Sequence, residues 1–439
     1  MAKQEKKGKQ GAGGESEGGI TSSYATGDGV TLKVPYSFFG SLYDKAEEQA
    51  ILEAMKQDTL TMGPKTAQFQ AKFAKQVSQT KHALATSSCT TGLHVATQLL
   101  DIGPGDEVIV TPNTFIATSL VILKEGAKPV YADIDPRTYN IDPAKIEPLV
   151  TDRTKAIFVV HYGGLMCDMD PIMDIARKHG LKVMSDCAHA HAAEYKGRRA
   201  GSVADLGVFS FHSLKNMTTC GEGGMITTDS DEFAEGAENL RCMNLADWDP
   251  NQTTWDFEGN VLTKKSERDY WLPSHFDVRP WHGHWGNNYR MNEIQAAVGV
   301  VQIDKLPKLL DRRREIAHAL NDGLKDVKGL TVPYEPPECK HIFHLYTLCV
   351  EEEELGVPRD DFMRVLYAEE GIQGIQHYQP TYHLSAVREA YDYPKNMCPV
   401  AEKFFYKRET NLPIHPRITD QDVDTMIQGI RSAADKVRR

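Results

Sequence analysis

The sequence predicts an α/β protein: a mostly parallel sheet flanked by helices, followed by a smaller α+β domain. Between about residues 47 and 228, short apolar runs of strand length alternate with segments whose apolar residues recur at helical spacing. Beyond about residue 307 the elements become shorter and mixed. The length, 439 residues, also exceeds what one simple core organises. The expected division is a tail over 1–30, a large domain over 31–306 and a small C-terminal domain over 307–439.

The tail is rich in Lys, Glu, Gln, Gly and Ser, which bury too little apolar area to offset ordering entropy, so it is expected to be disordered. Helices are predicted over 47–56 and 64–77, then a strand over 82–86. The run SSCTTG at 87–92 precedes a helical pattern over 93–100. Strands follow at 107–111, 129–132, 156–160, 182–185, 206–210 and 224–228, with helices over 115–124 and 171–179. Residues 240–285 break this rhythm with a Trp-, Asp-, Asn- and His-rich stretch, and a long segment of that kind inside a domain is usually functional. A long helix is predicted over 293–325, with a kink near Pro307.

Composition narrows the function classes. A net charge of -11 disfavours a nucleic-acid binder, which concentrates Lys and Arg against phosphates. Neither an apolar signal segment nor an eighteen-residue apolar run occurs, so a cytoplasmic protein without membrane spans is expected. The eight cysteines form no CxxC pair. They read as reduced thiols, and no metal site is expected.

Four segments carry chemistry. Ser210 ends a predicted strand, and Lys215 follows just beyond it, before the GEGG run at 221–224. Ligands of open α/β sheets sit outside the carboxyl ends of strands. A lysine there forms an imine with an aldehyde cofactor if its amine is kept neutral. A lone loop lysine would read instead as a solvated surface group. Asp186 follows the strand at 182–185. It suits a carboxylate set against a pyridine nitrogen, and it suits a helix N-cap equally well. His189, three residues on, stands where it would contact the ring or its oxygen. The hydroxyl-rich turn with Thr90 and Thr91 suits phosphate at a helix N-terminus, or a plain cap. Phe115, beyond the strand at 107–111, suits either ring stacking or the core.

Taken in order, these segments resemble the DegT/DnrJ/StrS family of sugar aminotransferases, which depend on pyridoxal 5′-phosphate and have the fold-type I, aspartate aminotransferase-like architecture. The resemblance runs from about Pro35 to near the C-terminus. It is carried by MGP at 62–64, SSCTTGLH at 87–94, GPGDEVIV at 103–110, TFIAT at 114–118 and VHYGG at 160–164. It continues through DCAH at 186–189, YKG at 195–197, SFHSLKN at 210–216, GEGG at 221–224, NYRMNEIQAA at 288–297 and NLPIHP at 411–416. It implies that Lys215 is the Schiff-base lysine and proton carrier and Asp186 the pyridinium partner. Phe115 would be the stacking ring and His189 a ring contact, with Thr90, Thr91 and Ser210 at the phosphate. Asn288 would reach the phosphate of the neighbouring subunit, which implies a homodimer with shared active sites, although Asn288 also reads as a turn residue after Gly286 and Asn287. His377 and His383, in HYQPTYH at 377–383, are candidates at the substrate entrance. The implied reaction moves an amino group from glutamate or glutamine to a keto-sugar or keto-cyclitol.

Two departures stand out. Residue 287, often aromatic in the family, is Asn here, and the 240–285 stretch is longer than the family leads one to expect. That stretch and its immediate flank hold all five tryptophans, which would make a platform for a sugar ring or pack onto a dimer partner. Related dehydratases carry histidine at the lysine position, so Lys215 argues against dehydration. A regulator acting on DNA would need a basic helix-turn-helix segment, and the sequence offers none.

Overall fold

The structure, a computed structural model, describes residues 24–25, 29–244, 254–255, 261–262, 278 and 280–438. Seven strands form the main sheet: β1 (His82–Thr86), β2 (Glu107–Val110), β3 (Lys128–Tyr131), β4 (Thr154–Val160), β5 (Lys182–Asp186), β6 (Leu206–Ser210) and β7 (Gly224–Thr228). Their spatial order is β1-β7-β6-β5-β4-β2-β3. Strand β7 runs antiparallel to both neighbours, and the other pairings are parallel. The carboxyl ends of the six co-directional strands therefore share one edge.

Strand side chains alternate between two apolar layers, as expected when both faces of a sheet are covered. Ile109, Ile157, Val159, Val183, Phe209 and Met225 face one layer, while Val108, Val110, Phe158, Met184, Val208 and Ile226 face the other. The first layer is closed by α2 (Pro64–Phe73), α5 (Met169–His179) and the front half of α7 (Glu293–Leu324). The second is closed by α3 (Cys89–Leu99), α4 (Ala117–Lys124) and α6 (Asp231–Arg241). Near the N-terminus, α1 (Lys45–Ala54) packs on α7.

A third core gathers Ile316, Ala317, Leu320 and Leu324 from the back half of α7, together with Val34. It is built around a three-stranded antiparallel sheet of β8 (Leu330–Thr331), β9 (Tyr346–Val350) and β10 (Glu409–Leu412). Helices α8 (Arg359–Ala368) and α9 (Asp420–Val437) complete it. The chain then crosses back, since Tyr382, Val387, Tyr393, Cys398 and Phe404 belong to the second layer of the large sheet. Helix α7 runs through Pro307 as one 32-residue element, so residue 307 lies inside it.

The elements differ from expectation at several ends. Helix α3 begins at Cys89, not at 93, because Ser88 caps it reciprocally with Thr91. Helix α2 ends at Phe73, and a wider turn over Ala74–Ser78 replaces its expected last turn. Helix α2 is capped from a distance: the Glu293 carboxylate accepts from the N–H groups of Gly63, Lys65 and Thr66 at 2.7–2.9 Å. Tyr24–Ala25 pairs with Thr31–Leu32. The rest of the expected tail through 28 lies outside the described residues, as does most of 245–280, including Trp248 and Trp271. Trp281 packs against the second layer, and Trp285 is exposed. Among the described residues no helix is long and apolar enough to cross a membrane.

Candidate active site

A cavity of about 370 Å³ opens at the carboxyl edge of the main sheet. Each wall follows from a strand end. Strand β1 leads into Ser88, Cys89 and Thr90 at the start of α3; β2 leads into Phe115, β5 into Asp186 and His189, and β6 ends at Ser210 with Lys215 beyond it. His377 and Tyr378 come from the crossing between the cores.

Glycine makes the close packing possible at two places. A Cβ on Gly224 would collide with the Ser88 carbonyl, so the first residue of β7 has to be this small to sit beneath the α3 turn. A Cβ on Gly40 would collide with the carbonyl oxygens of Leu214 and Lys215. Gly40 N–H donates to Ser213 O at 2.8 Å, and the buried Arg313 donates to Gly40 O at 2.7 Å. Gly40 thus backs the lysine loop.

The electrostatics follow from burial. Burial holds the Lys215 amine below its usual pKa, opposed by the Asp186 charge. Among the described residues no group hydrogen-bonds this amine. Burial likewise pushes Asp186 above the usual carboxylate value. Acting against it are the Ala188 N–H at 3.0 Å, the Thr118 hydroxyl at 2.8 Å and the charge of Lys215. Thr118 is itself paired with Thr114 at 2.9 Å. His189 is held well below its usual pKa, first by burial and then by Lys215, and so is neutral. Its Nδ1 accepts from Gly163 N–H at 3.3 Å, which leaves the proton on Nε2, 3.3 Å from Tyr378 Oη. His344 stacks obliquely on His189, with ring centroids 4.2 Å apart, and donates from Nδ1 to Asn216 Oδ1 at 2.9 Å.

Seven of the expected residues line the cavity: Thr90, Phe115, Asp186, His189, Ser210, Lys215 and His377. Three do not. The Thr91 hydroxyl accepts from Ser88 N–H at 3.0 Å and donates to Ser88 O at 2.8 Å, so it is engaged in capping α3. Asn288 is exposed, in an extended segment bridged to Cys242. His383 lies in a separate cluster, 2.9 Å from Tyr406 Oη and 3.4 Å from Glu402. Two contributors go beyond the expected set. Thr118, in the first turn of α4, stands four residues after Thr114, which lies in the turn before that helix. Tyr378 adjoins the expected His377, but nothing local marks it.

This donor set fits a phosphorylated pyridine aldehyde. A desolvated amine without a partner suits imine formation. A buried carboxylate with raised pKa gains from a cationic ring nitrogen. Phe115 is 59% exposed although it lines the cavity, so a ring face is left for a flat partner. The N-terminus of the 11-residue α3 presents its first N–H groups beside Thr90.

Comparison with known proteins agrees with this geometry. Residues 42–431 match the model of the DegT/DnrJ/EryC1/StrS aminotransferase family. The chain is 38% identical over 400 residues to the spore coat polysaccharide biosynthesis protein SpsC of Bacillus subtilis, covering 91% of this chain and 96% of that one. It is 36% identical over 390 residues to a GDP-perosamine synthase of Caulobacter vibrioides, covering 88% and 95%. Among solved structures, an aminotransferase from Psychrobacter cryohalolentis superposes with a TM-score of 0.80 at 31% identity, over 92% of this chain and 100% of that one.

Proposed function

This chain belongs to the DegT/DnrJ/EryC1/StrS aminotransferase family and is a pyridoxal 5′-phosphate-dependent enzyme of fold type I, and on that premise we propose that it moves an amino group from glutamate or glutamine to the keto group of a nucleotide-linked sugar or a cyclitol. The observation that carries the reading is Lys215 and Asp186 facing one cavity, both desolvated. When bound, the cofactor supplies an aldehyde that takes up the amino group and a ring that accepts electrons from the substrate carbon.

The residues have separable duties. Lys215 Nζ holds the cofactor and then, as a neutral amine, carries the proton at the reacting carbon. Asp186, held in place by Thr118 and the Ala188 N–H, keeps a proton on the ring nitrogen. Phe115 covers one ring face. His189, held between Gly163 N–H and Tyr378 Oη, would contact the cofactor ring. Ser88, Thr90 and Ser210 hold the phosphate, with Asn288 of a second subunit completing the site in a homodimer. His377 stands at the substrate entrance. The relationship to a GDP-perosamine synthase supports the nucleotide-linked class of acceptor. We place the reaction in the cytoplasm, where the cysteines, all free among the described residues, stay reduced.

The test has two arms. The reconstituted protein is expected to absorb visible light and to bleach on adding glutamate or glutamine, and Lys215→Ala is expected to abolish turnover. Full turnover by Lys215→Ala with a keto acceptor would overturn the assignment. Bleaching without amine transfer to any ketone of either class would overturn the acceptor.

A further inference from the structure

Tyr289 does not line the cavity, yet it holds one wall of it at two points. Its carbonyl accepts from Ser87 N–H at 2.7 Å, just before the cap of α3, and its hydroxyl meets His94 Nδ1 at 2.9 Å in the second turn of that helix. The next residue, Arg290, bridges to Thr86 at the end of β1. Ser88, Cys89 and Thr90 lie between the two holds. We infer that Tyr289, anchored through His94 by Glu125, is a positioning residue for the turn that takes the cofactor phosphate. This rests on the assignment of that turn to the phosphate.

The polarity of the network supports a fixed arrangement. Lys124 Nζ only donates, so Tyr289 Oη accepts from it at 3.4 Å. The Glu125 carboxylate only accepts, so His94 Nε2 donates to it at 2.5 Å. His94 Nδ1 meets the Tyr289 hydroxyl at 2.9 Å, so Lys124, Tyr289, His94 and Glu125 form one continuous series of contacts. His94 is 5% exposed, so water competes little for these bonds. His284 Nδ1 stands 3.8 Å from the other Glu125 oxygen and ties the start of the same segment to the network. The segment carrying Asn288 and the helix that cradles phosphate are thus registered on one another within one chain.

The test measures cofactor binding to the full-length apoenzyme by fluorescence titration, so it does not depend on which ketone is aminated. Tyr289→Phe removes the hydroxyl and keeps the ring, which packs edge-on to His94 with centroids 5.7 Å apart. Its dissociation constant for pyridoxal phosphate is expected to rise roughly five- to tenfold, as for one lost buried hydrogen bond. Glu125→Gln is expected to move it in the same direction by less. Affinity for pyridoxal, which lacks the phosphate, is expected to stay unchanged. Tyr346→Phe loses a comparable bond to Asn321, 2.8 Å, in the third core. It is expected to lower the melting temperature without changing either affinity. Unchanged pyridoxal phosphate affinity in Tyr289→Phe, or an equal loss for pyridoxal, would overturn the inference. So would an equal loss of pyridoxal phosphate affinity in Tyr346→Phe.

Discussion

Replacing Asp186 with Asn is expected to make the apoenzyme more stable and the holoenzyme nearly inactive. The carboxyl titrates at 3.8 when unperturbed and higher in the folded protein, chiefly because it is buried. Between those two values the folded state binds more protons than the unfolded state. The group's contribution to stability is therefore greatest below the unfolded value and is lost as pH rises through the folded value. At neutral pH the carboxyl is held ionised against that burial, which costs stability. Asparagine removes that cost and keeps the local bonds. Its Oδ1 accepts from Ala188 N–H, its Nδ2 donates to Thr118 Oγ1, and the Thr118 hydroxyl turns to Thr114, already 2.9 Å away. Each kcal/mol so gained raises the melting temperature by on the order of 1 °C in a chain of this size. With cofactor bound, the same change removes the anion facing the ring, and turnover is expected to fall by about 10²–10³-fold, as for loss of one preorganised electrostatic group. Calorimetry of the apo form at pH 7, alongside initial rates, checks both halves. A lower melting temperature, or turnover within about threefold of the parent (far short of that loss), would refute the reasoning.

Acid should destabilise the protein early. Burial depresses His377 to about 4 and His161, His191, His341 and His415 to about 3, all below the ordinary 6.5. The unfolded chain takes up these protons first, so stability is lost as pH falls from about 6.5 toward 4, at about 1.4 kcal/mol per pH unit for each histidine involved. Melting temperatures recorded across that window would show it, and a flat profile would contradict it. Gly40→Ala is expected to displace the Lys215 loop, because the new methyl meets the Leu214 and Lys215 carbonyls. The overpacking should cost about 1–3 kcal/mol and reduce kcat by more than the stability loss explains, read from parallel unfolding and rate measurements.

Much of the scaffold is legible in the sequence because its strands are buried on both faces. The strands at 82–86, 206–210 and 224–228 have the expected ends, since short continuous apolar runs bounded by Gly, Ser and Asp leave little choice. Helix ends are less legible where hydroxyl side chains compete as caps. Ser88 and Thr91 move the start of α3 four residues earlier than the apolar pattern does. Helix α6 is not expected at all. Gly236 in its middle weakens the helical signal, and glycine is needed there because a Cβ would meet Leu99 and Trp281. At the site, Lys215, Asp186 and Phe115 are readable because each follows a strand at the same edge. Tyr378, which lines the cavity, and His344, which stacks on His189, are not, because tertiary crossings that leave no local periodicity bring them there.

Helix α7 gives the molecule an indivisible character. Ile303, Leu306 and Leu310 along it serve the layer under the main sheet, and Ile316, Leu320 and Leu324 nearer its end serve the third core. At 1.5 Å per residue the helix is a rod about 48 Å long. Severing the chain at residue 307 would divide this rod and strip Tyr382, Val387, Tyr393, Cys398 and Phe404 from the second layer of the main sheet. The C-terminal portion is therefore no exchangeable module. A gene fusion, permutation or transplant that hopes to borrow the cavity-lining His377 and Tyr378 has to carry the whole rod and the sheet beneath it.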